Sequence, residues 1–493
     1  MKKQVLTQIL ALFAMVAFAE KVEVNGLYYE LINKNLTAIV APSDGEKYSG
    51  DIVIPETIEY GGSSYSVTRI GSNAFKGCDN LLSVSISNNV INIDYSAFEG
   101  CVNLVTVLLS DNIGVIEGNA FYNCNALSNI ILPKSLKTIG NGAFFNCCSL
   151  TSLQIPDSVV SIGSTAFMGC GGLTTISIGK SVEAINGYAF EGCINLESVH
   201  ITDLSAWCNI DFSKTGHVYW QETPTNPLYH AHHLFLNGEE IVDLVIPDDV
   251  NIITGAFDGC TGLKTVTFNN KVVIRNNAFR NCTGLEKVFA PDIETWLGFV
   301  FGSYCANPLD YAHCLYLNNE EINELNIPTI ITSIGNSAFI GSNTLTKISM
   351  PNTVTSIGED AFNNCSSLKD VILPGSLEDI GARAFYGCLE IADVYCYADK
   401  IPSTGDQVFR NALTEYATLH VPENSINDYS SKAPWNGFGK IVALKDDDPQ
   451  PTGILSIANN KKGTIWFDMN GRKLSSEPSS KGIYINNGKK VIK

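Results

Sequence analysis

Apolar positions return every 23 residues through most of this chain. One unit, residues 133–155, reads PKSLKTIGNGAFFNCCSLTSLQI. At its end, Leu153 and Ile155 alternate with polar residues, which predicts a short β-strand with one buried face. The middle, SLKTIGNGAF, predicts a compact bend or a short helical turn that opens at Gly140. Each unit is therefore expected to contain one strand and one bend.

An Ala-Phe pair and a following cysteine hold the same place in successive units. The phenylalanines are Phe75, Phe98, Phe121, Phe144, Phe167, Phe190, Phe257, Phe279, Phe339, Phe362 and Phe385. The cysteines of the unbroken part are Cys78, Cys101, Cys124, Cys147, Cys170 and Cys193. A unit buries roughly five or six apolar side chains at about 1.5–3 kcal/mol each, whereas ordering its backbone costs about 1–2 kcal/mol per residue. One unit cannot fold alone, so the units are expected to stack around a core of these side chains.

This repeated unit, from its proline through SL, IG and AF to the cysteine, resembles the BspA-type leucine-rich repeats of bacterial surface proteins. The resemblance covers residues 70–397, with insertions at about 202–245 and 290–326. It implies a leucine-rich-repeat solenoid of stacked 23-residue units, each with a short parallel β-strand, capped at both ends. It also implies a role in adhesion and surface recognition.

The regularly spaced cysteines are interpreted as small, buried, unreactive thiols. Parallel side chains on successive turns are poorly oriented for the torsion that a disulfide needs, and the series is interrupted by Ser342. The spacing also lacks the Cys and His pairs of a zinc site. Disulfides remain an alternative for the cysteines outside the register, which are Cys148, Cys208, Cys305, Cys314 and Cys396.

The two insertions resemble each other and are interpreted as expanded repeats. Trp207 in the first corresponds to Trp296 in the second, and LFLNGEEI and LYLNNEEI are typical of β-hairpins. Residues 229–233, YHAHH, suggest a metal site, but in a strand only two of these histidines share a face. We expect His232 and its counterpart His313 to pack or to form hydrogen bonds instead.

Both ends of the chain depart from the repeat. Residues 1–19 have two lysines, an apolar run and an Ala-Phe-Ala site, which predicts a cleaved signal peptide. Residues 20–69 predict an N-terminal β cap, 398–444 resemble the closing cap of the family, and 445–453 predict a linker. In the basic tail, 454–493, DMNGRKL and KGIYINNGKKVIK resemble a truncated type IX secretion sorting domain of Bacteroidota-type bacteria. The alternative is a small β-module without a targeting role.

The net charge of −18 argues against binding to nucleic acid, and no internal apolar run is long enough to span a membrane. The sequence contains no recognisable catalytic, cofactor or metal motif, so no enzyme activity is expected. The outward positions of the strands are mostly small and hydroxylic, and an insertion adds two aromatic residues. The candidate binding residues are Gln154, Thr175, Ser198, His200, Tyr219 and Trp220.

These patterns predict a secreted or cell-surface protein that binds extracellular or host-surface proteins, as an adhesin does. A first alternative is a glycan-binding surface module, which clustered exposed aromatic residues such as Tyr395 would favour. A second alternative is a structural envelope or stalk protein that binds nothing through this face. The residues do not specify the partner.

Overall fold

The computed structural model describes residues 20–212, residues 225–451 and the backbone of three later strands. This part of the chain forms two compact units. The first unit runs to Ile322 and also includes residues 335–344 and 360–365, and the second unit contains the rest. Both units are parallel β-solenoids with a spacing of about 23 residues, and together they contain about 16 turns. The predicted leucine-rich-repeat solenoid is confirmed.

Each regular turn contributes two parallel strands, one more than the sequence predicted. We call the predicted strands face strands, of which Ser152–Gln154 is an example. The additional ones, here called turn strands, fall in the stretch expected to be a bend, as at Thr138–Ile139. Two residues are enough to form a strand here because Ile139 pairs in register with Ile116 on one side and with Ile162 on the other. Stacking thus gives this short segment backbone partners that an isolated bend would lack.

The first unit opens with two sets of antiparallel strands, which join each other and the first turn through Ser63–Ile70. Its opening strands are Glu20–Val24, Leu27–Ile32, Thr37–Ala41, Thr57–Tyr60 and Ser63–Ile70. Its turn strands are Asn92–Ile93, Val115–Ile116, Thr138–Ile139, Ser161–Ile162, Ala184–Ile185, Ile252–Ile253, Val273–Ile274 and Val300–Phe301. Its face strands are Gly50–Ile54, Leu81–Ile86, Thr106–Leu108, Asn129–Ile130, Ser152–Gln154, Thr175–Ser177, Ser198–Ile201, Leu234–Leu236, Glu239–Glu240, Asp243–Val245, Thr265–Thr267, Lys287–Ala290, Leu315–Leu317 and Glu320–Glu321.

The second unit repeats this arrangement and ends in a small antiparallel sheet. Its face strands are Glu324–Asn326, Lys347–Ser349, Asp370–Leu373, Asp393–Cys396, Thr418–Val421 and Lys440–Ala443. Its turn strands are Ser333–Ile334, Ser356–Ile357, Asp379–Ile380 and Ser403–Thr404. The tail strands are Trp466–Phe467, Ile483–Asn486 and Lys489–Ile492.

Helices are short throughout the described residues. The α-helices are Leu204–Cys208, Leu228–Ala231, Ile293–Leu297, Leu309–Ala312 and Ile426–Ser431. The 3-10 helices are Tyr304–Ala306, Thr414–Tyr416, Glu423–Ser425 and Trp435–Gly437. Within the part of the chain that the structure covers, no helix has the length and apolar character needed to cross a membrane.

The repeated phenylalanines are buried, and within each uninterrupted run of turns the consecutive rings stack into a column. Phe75 and Phe98 have ring centroids 4.9 Å apart and rings within 1° of parallel, and Phe144 and Phe167 are 5.4 Å apart. This spacing is slightly larger than the separation of neighbouring strands, about 4.7–4.9 Å. The column also includes Phe409, which stacks on the preceding ring at 5.4 Å and was absent from the sequence prediction.

Seven of the repeated phenylalanines, among them Phe98, form two backbone hydrogen bonds with the next turn. The amide of Phe98 donates to the carbonyl of Ala120 at 2.7 Å. The carbonyl of Phe98 accepts from the Cys124 thiol at 3.1 Å. The cysteines are therefore hydrogen-bond donors as well as space-filling groups, a role that the sequence did not predict. All fifteen cysteines, including the five outside the register, are thiols in the structure.

Residues 445–451, the described part of the segment predicted to be a linker, pack against the second unit. Tyr397 donates its hydroxyl hydrogen to the Pro449 carbonyl at 3.0 Å and accepts from the Gln450 side chain at 3.1 Å. Asp448 lies 3.7 Å from the His420 ring. The charged segment 445–451 therefore lies against the last face strands, because Tyr397 and His420 interact with it there.

Alkaline pH should destabilise the solenoid through its regularly spaced, buried cysteine thiols. Burial raises the pKa of the Cys101 and Cys193 thiols to about 12, whereas an unfolded thiol titrates near about 8.5. The folded state therefore holds more protons above this value, so the contribution of these thiols to the free energy of unfolding should be fully present below about pH 8.5 and fall as the pH rises toward about 12.

Urea titrations between about pH 8 and about pH 10.5 measure this dependence. The variant Cys124→Ser keeps a donor but removes one titrating thiol, so its decline with pH should be shallower than that of the wild type. An equal slope in the two proteins would contradict the assignment of the effect to these thiols.

Candidate functional site

One five-stranded sheet of the first unit brings four of the predicted binding residues together. Its strands are Ser152–Gln154, Thr175–Ser177, Ser198–Ile201, Leu234–Leu236 and Glu239–Glu240, all parallel except the last. Leu153 and its counterparts point into the core, so the alternate side chains lie on the outer face. We call this outer surface the central face.

The side chains of the central face form two rows across the strands. In the first row, Thr175 and Ser198 lie in register, and their hydroxyl oxygens are 3.1 Å apart. In the second row, Gln154 is followed by Ser177 and then by His200. The His200 Nε2 atom lies 3.1 Å from the Ser198 hydroxyl, which connects the two rows.

The second row continues with Phe235, which sequence reasoning missed. Phe235 lies in register with His200, and the two rings stack with centroids 4.7 Å apart. The hairpin of the first insertion was predicted, but its pairing with Ser198–Ile201 was not. The alternation of apolar residues around Leu234 was the sequence signal that could have indicated this pairing. The Leu234 side chain is buried and occupies the inward position next to Val199.

Acidic residues border the central face on its last strand. Glu240 lies opposite Phe235, and its carboxylate is 2.6 Å from the His233 ring. The surface therefore changes from neutral amide and hydroxyl groups at Gln154 to an aromatic and acidic end. Such a surface can offer hydrogen bonds and a stacking platform to a ligand. No cluster of three metal-ligating side chains occurs in the described residues.

Tyr219 and Trp220 lie outside the described residues. The YHAHH segment differs from the strand considered in the sequence analysis, because residues Leu228–Ala231 form a single helical turn. His232 ends this turn in the left-handed conformation, and its Nδ1 lies 2.9 Å from the Gly259 carbonyl. His313 in the second insertion has the same conformation and lies at the same distance from the Gly341 carbonyl.

The tryptophan found in each insertion replaces a missing backbone donor. In a regular turn, the Ala carbonyl of the Ala-Phe pair accepts from the preceding Phe amide, but the expanded turn has no such phenylalanine. The indole of Trp207 donates to the Ala256 carbonyl at 2.9 Å, and that of Trp296 donates to the Ala338 carbonyl at 2.9 Å. The Asn226 side chain adds a second donor to Ala256 at 2.8 Å.

A family model described as the BspA type leucine rich repeat region matches six copies, over residues 57–172, 160–286, 229–301 and 312–433. These matches span well over half of the chain. The chain belongs to the BspA-type leucine-rich repeat family. Leucine-rich repeat proteins are generally non-catalytic protein-interaction modules, so membership fits a protein-binding role.

The chain is similar to several solved structures. A leucine-rich repeat protein from Bacteroides ovatus is 24% identical, with 86% of this chain and 100% of that chain covered and a TM-score of 0.47. One from T. pallidum is 31% identical over 36% of this chain and 81% of that chain, with a TM-score of 0.33. A leucine rich cell surface protein from Faecalibacterium prausnitzii is 20% identical over 87% of this chain and 96% of that chain, with a TM-score of 0.34. No curated protein matches the chain.

Replacing Trp207 by phenylalanine should destabilise the first unit. The substitution keeps an aromatic ring but removes one donor to Ala256, and a net hydrogen bond contributes about 0.5–1.5 kcal/mol. We expect the free energy of unfolding to fall by about this amount in a urea titration. The control is Tyr416→Phe, because Tyr416 is 84% exposed and should tolerate the change. Equal stability of the Trp207→Phe variant and wild type would contradict the role of the indole.

Proposed function

We propose that this protein is a secreted or cell-surface adhesin of a Bacteroidota-type bacterium and that its central face binds a host or microbial protein. The single observation that carries the proposal is the stacked pair of His200 and Phe235 beside Ser198 and Thr175. Aromatic residues next to polar groups are typical of the few side chains that dominate binding energy. Family membership supports protein binding as the general role.

Export is supported by the signal-like sequence at residues 1–19 and by the sorting-like tail at 454–493. Cell-surface relatives such as that of Faecalibacterium prausnitzii are in keeping with this location. A signal peptide would take the chain across the inner membrane, and a sorting domain would direct it onward to the outer surface. The net charge of −18 would keep an exported repeat protein soluble.

A glycan ligand is the second candidate, and aromatic pairs favour it. Besides His200 and Phe235, Tyr395 stacks on His420 with centroids 4.3 Å apart on the face strands of the second unit. Flat rings beside hydroxyl and carboxylate groups suit the apolar face and the hydroxyls of a sugar. The protein ligand is preferred because the central face is shallow and extends over several strands.

The test is a binding screen of the full mature chain against purified extracellular-matrix proteins, host cell-surface proteins and glycans. We expect a saturable protein ligand whose affinity falls at least about thirtyfold in the double variant His200→Ala and Phe235→Ala, since such anchors contribute about 2 kcal/mol or more. The control is Thr267→Ala, which changes an outward residue on a face strand of another sheet.

A ligand that is exclusively a glycan would replace the protein-binding proposal by its second candidate. Protein binding that is equally weakened by both variants, or by neither, would contradict the assignment to the central face. A folded chain that binds none of these probes would favour a structural role in the envelope.

A further inference from the structure

The last turn strand of the second unit, Ser403–Thr404, has a paired neighbour on one side only. The Ser403 amide donates to the Glu378 carbonyl, and the Gly405 amide donates to the Ile380 carbonyl, both at 2.8 Å. In a parallel ladder, alternate residues direct both backbone groups to opposite neighbours. The amide and carbonyl of Thr404 therefore face the open edge, and neither has a hydrogen-bond partner among the described residues.

A cleft of about 790 Å³ adjoins this open edge. Its lining includes Ser403, Thr404 and Glu378, together with Lys432 and Trp435 of the segment that closes the unit. This volume is in the range of ligand-binding clefts, about 300–1,000 Å³. The cleft is separate from the central face, which belongs to the first unit.

Trp435, which lines this cleft, differs from the two tryptophans of the insertions. Its ring is fully buried against Phe409 and Tyr429, and its Nε1 has no hydrogen-bond partner among the described residues. Trp207 and Trp296, by contrast, each donate this hydrogen to a main-chain carbonyl. A buried donor without an acceptor is costly, so the closing segment at this end of the cleft lacks a stabilising bond that the two insertions have.

Charges of both signs border the cleft. Lys400 and Lys432 are exposed and form no ion pair with any described residue, although the chain as a whole is strongly acidic. Glu378 and Asp379 also line the cleft, and Asp379 accepts from the Ser403 hydroxyl. A ligand recognised here should carry both charges or rely on its main chain.

We propose that this cleft binds an extended peptide segment of a partner protein as an added strand beside Ser403–Thr404. The peptide amide and carbonyl pair with Thr404, and the peptide lies beside Trp435, which lines the cleft. Lys400 and Glu378 interact with its charged side chains. Recognition is through the main chain, as in other cases of strand addition to an open sheet edge, and it does not depend on the central face.

The probe is a capped heptapeptide, acetyl-Thr-Val-Lys-Thr-Val-Glu-Thr-amide, which combines strand-forming residues with both charges. Nitrogen-15 TROSY spectra of the full chain would follow the indole signal of Trp435, assigned by its loss in Trp435→Phe. We expect a saturable shift of this signal at millimolar peptide, while the signals of Trp207 and Trp296 stay in place.

Two controls separate main-chain pairing from other contacts. The same peptide methylated at alternate amide nitrogens cannot donate to Thr404, and its affinity should be at least tenfold lower. Thr404→Pro removes an amide that faces the open edge, where proline is tolerated, and should weaken binding similarly. A Trp435 signal that does not move, or equal binding of the methylated peptide, would overturn the proposal.

Discussion

Each regular turn of this protein is held to the next through the backbone of one phenylalanine. The amide of Phe98 donates to Ala120 and its carbonyl accepts from Cys124, so both of its polar groups are satisfied by the following turn. The ring stacks on its neighbours and excludes water from these bonds. A buried backbone group must have a partner, and in the regular turns the next copy of the motif provides it.

This constraint explains the departures from the repeat. An expanded turn has no phenylalanine amide to donate to the Ala carbonyl of the next turn. In the first insertion, the Trp207 indole donates to that carbonyl instead. The room gained allows a hairpin to join the central face and to place Phe235 beside His200. At the end of the second unit, the Trp435 indole has no carbonyl among the described residues to which it could donate. The insertions thus preserve the stacking bonds while they change the surface.

The solenoid could be predicted because its stabilising contacts recur at a fixed period, so the pattern itself reports them. The turn strands could not, since the two residues at Thr138–Ile139 are a strand only through pairing with neighbouring turns. Phe409 was missed because its unit lacks the Ala and the Cys that mark the others. His232 departs from the strand considered because Pro227 opens a helical turn that ends at this residue.

The binding surface was predictable only in part for a related reason. Gln154, Thr175, Ser198 and His200 follow the period and could be placed on one face by counting. Phe235 comes from an insertion, where no period fixes the register. A side chain that reaches a surface through tertiary pairing leaves only a local alternation in the sequence.

Hydrogen exchange at the phenylalanine amides tests the central claim most directly. Residue-level exchange measured by mass spectrometry should show the amides of Phe98, Phe121 and Phe144 among the slowest in the chain, opening only when several turns unfold together. Exchange of these amides as fast as that of the exposed turn at Asp111 would show that the stacking bonds do not hold the turns together.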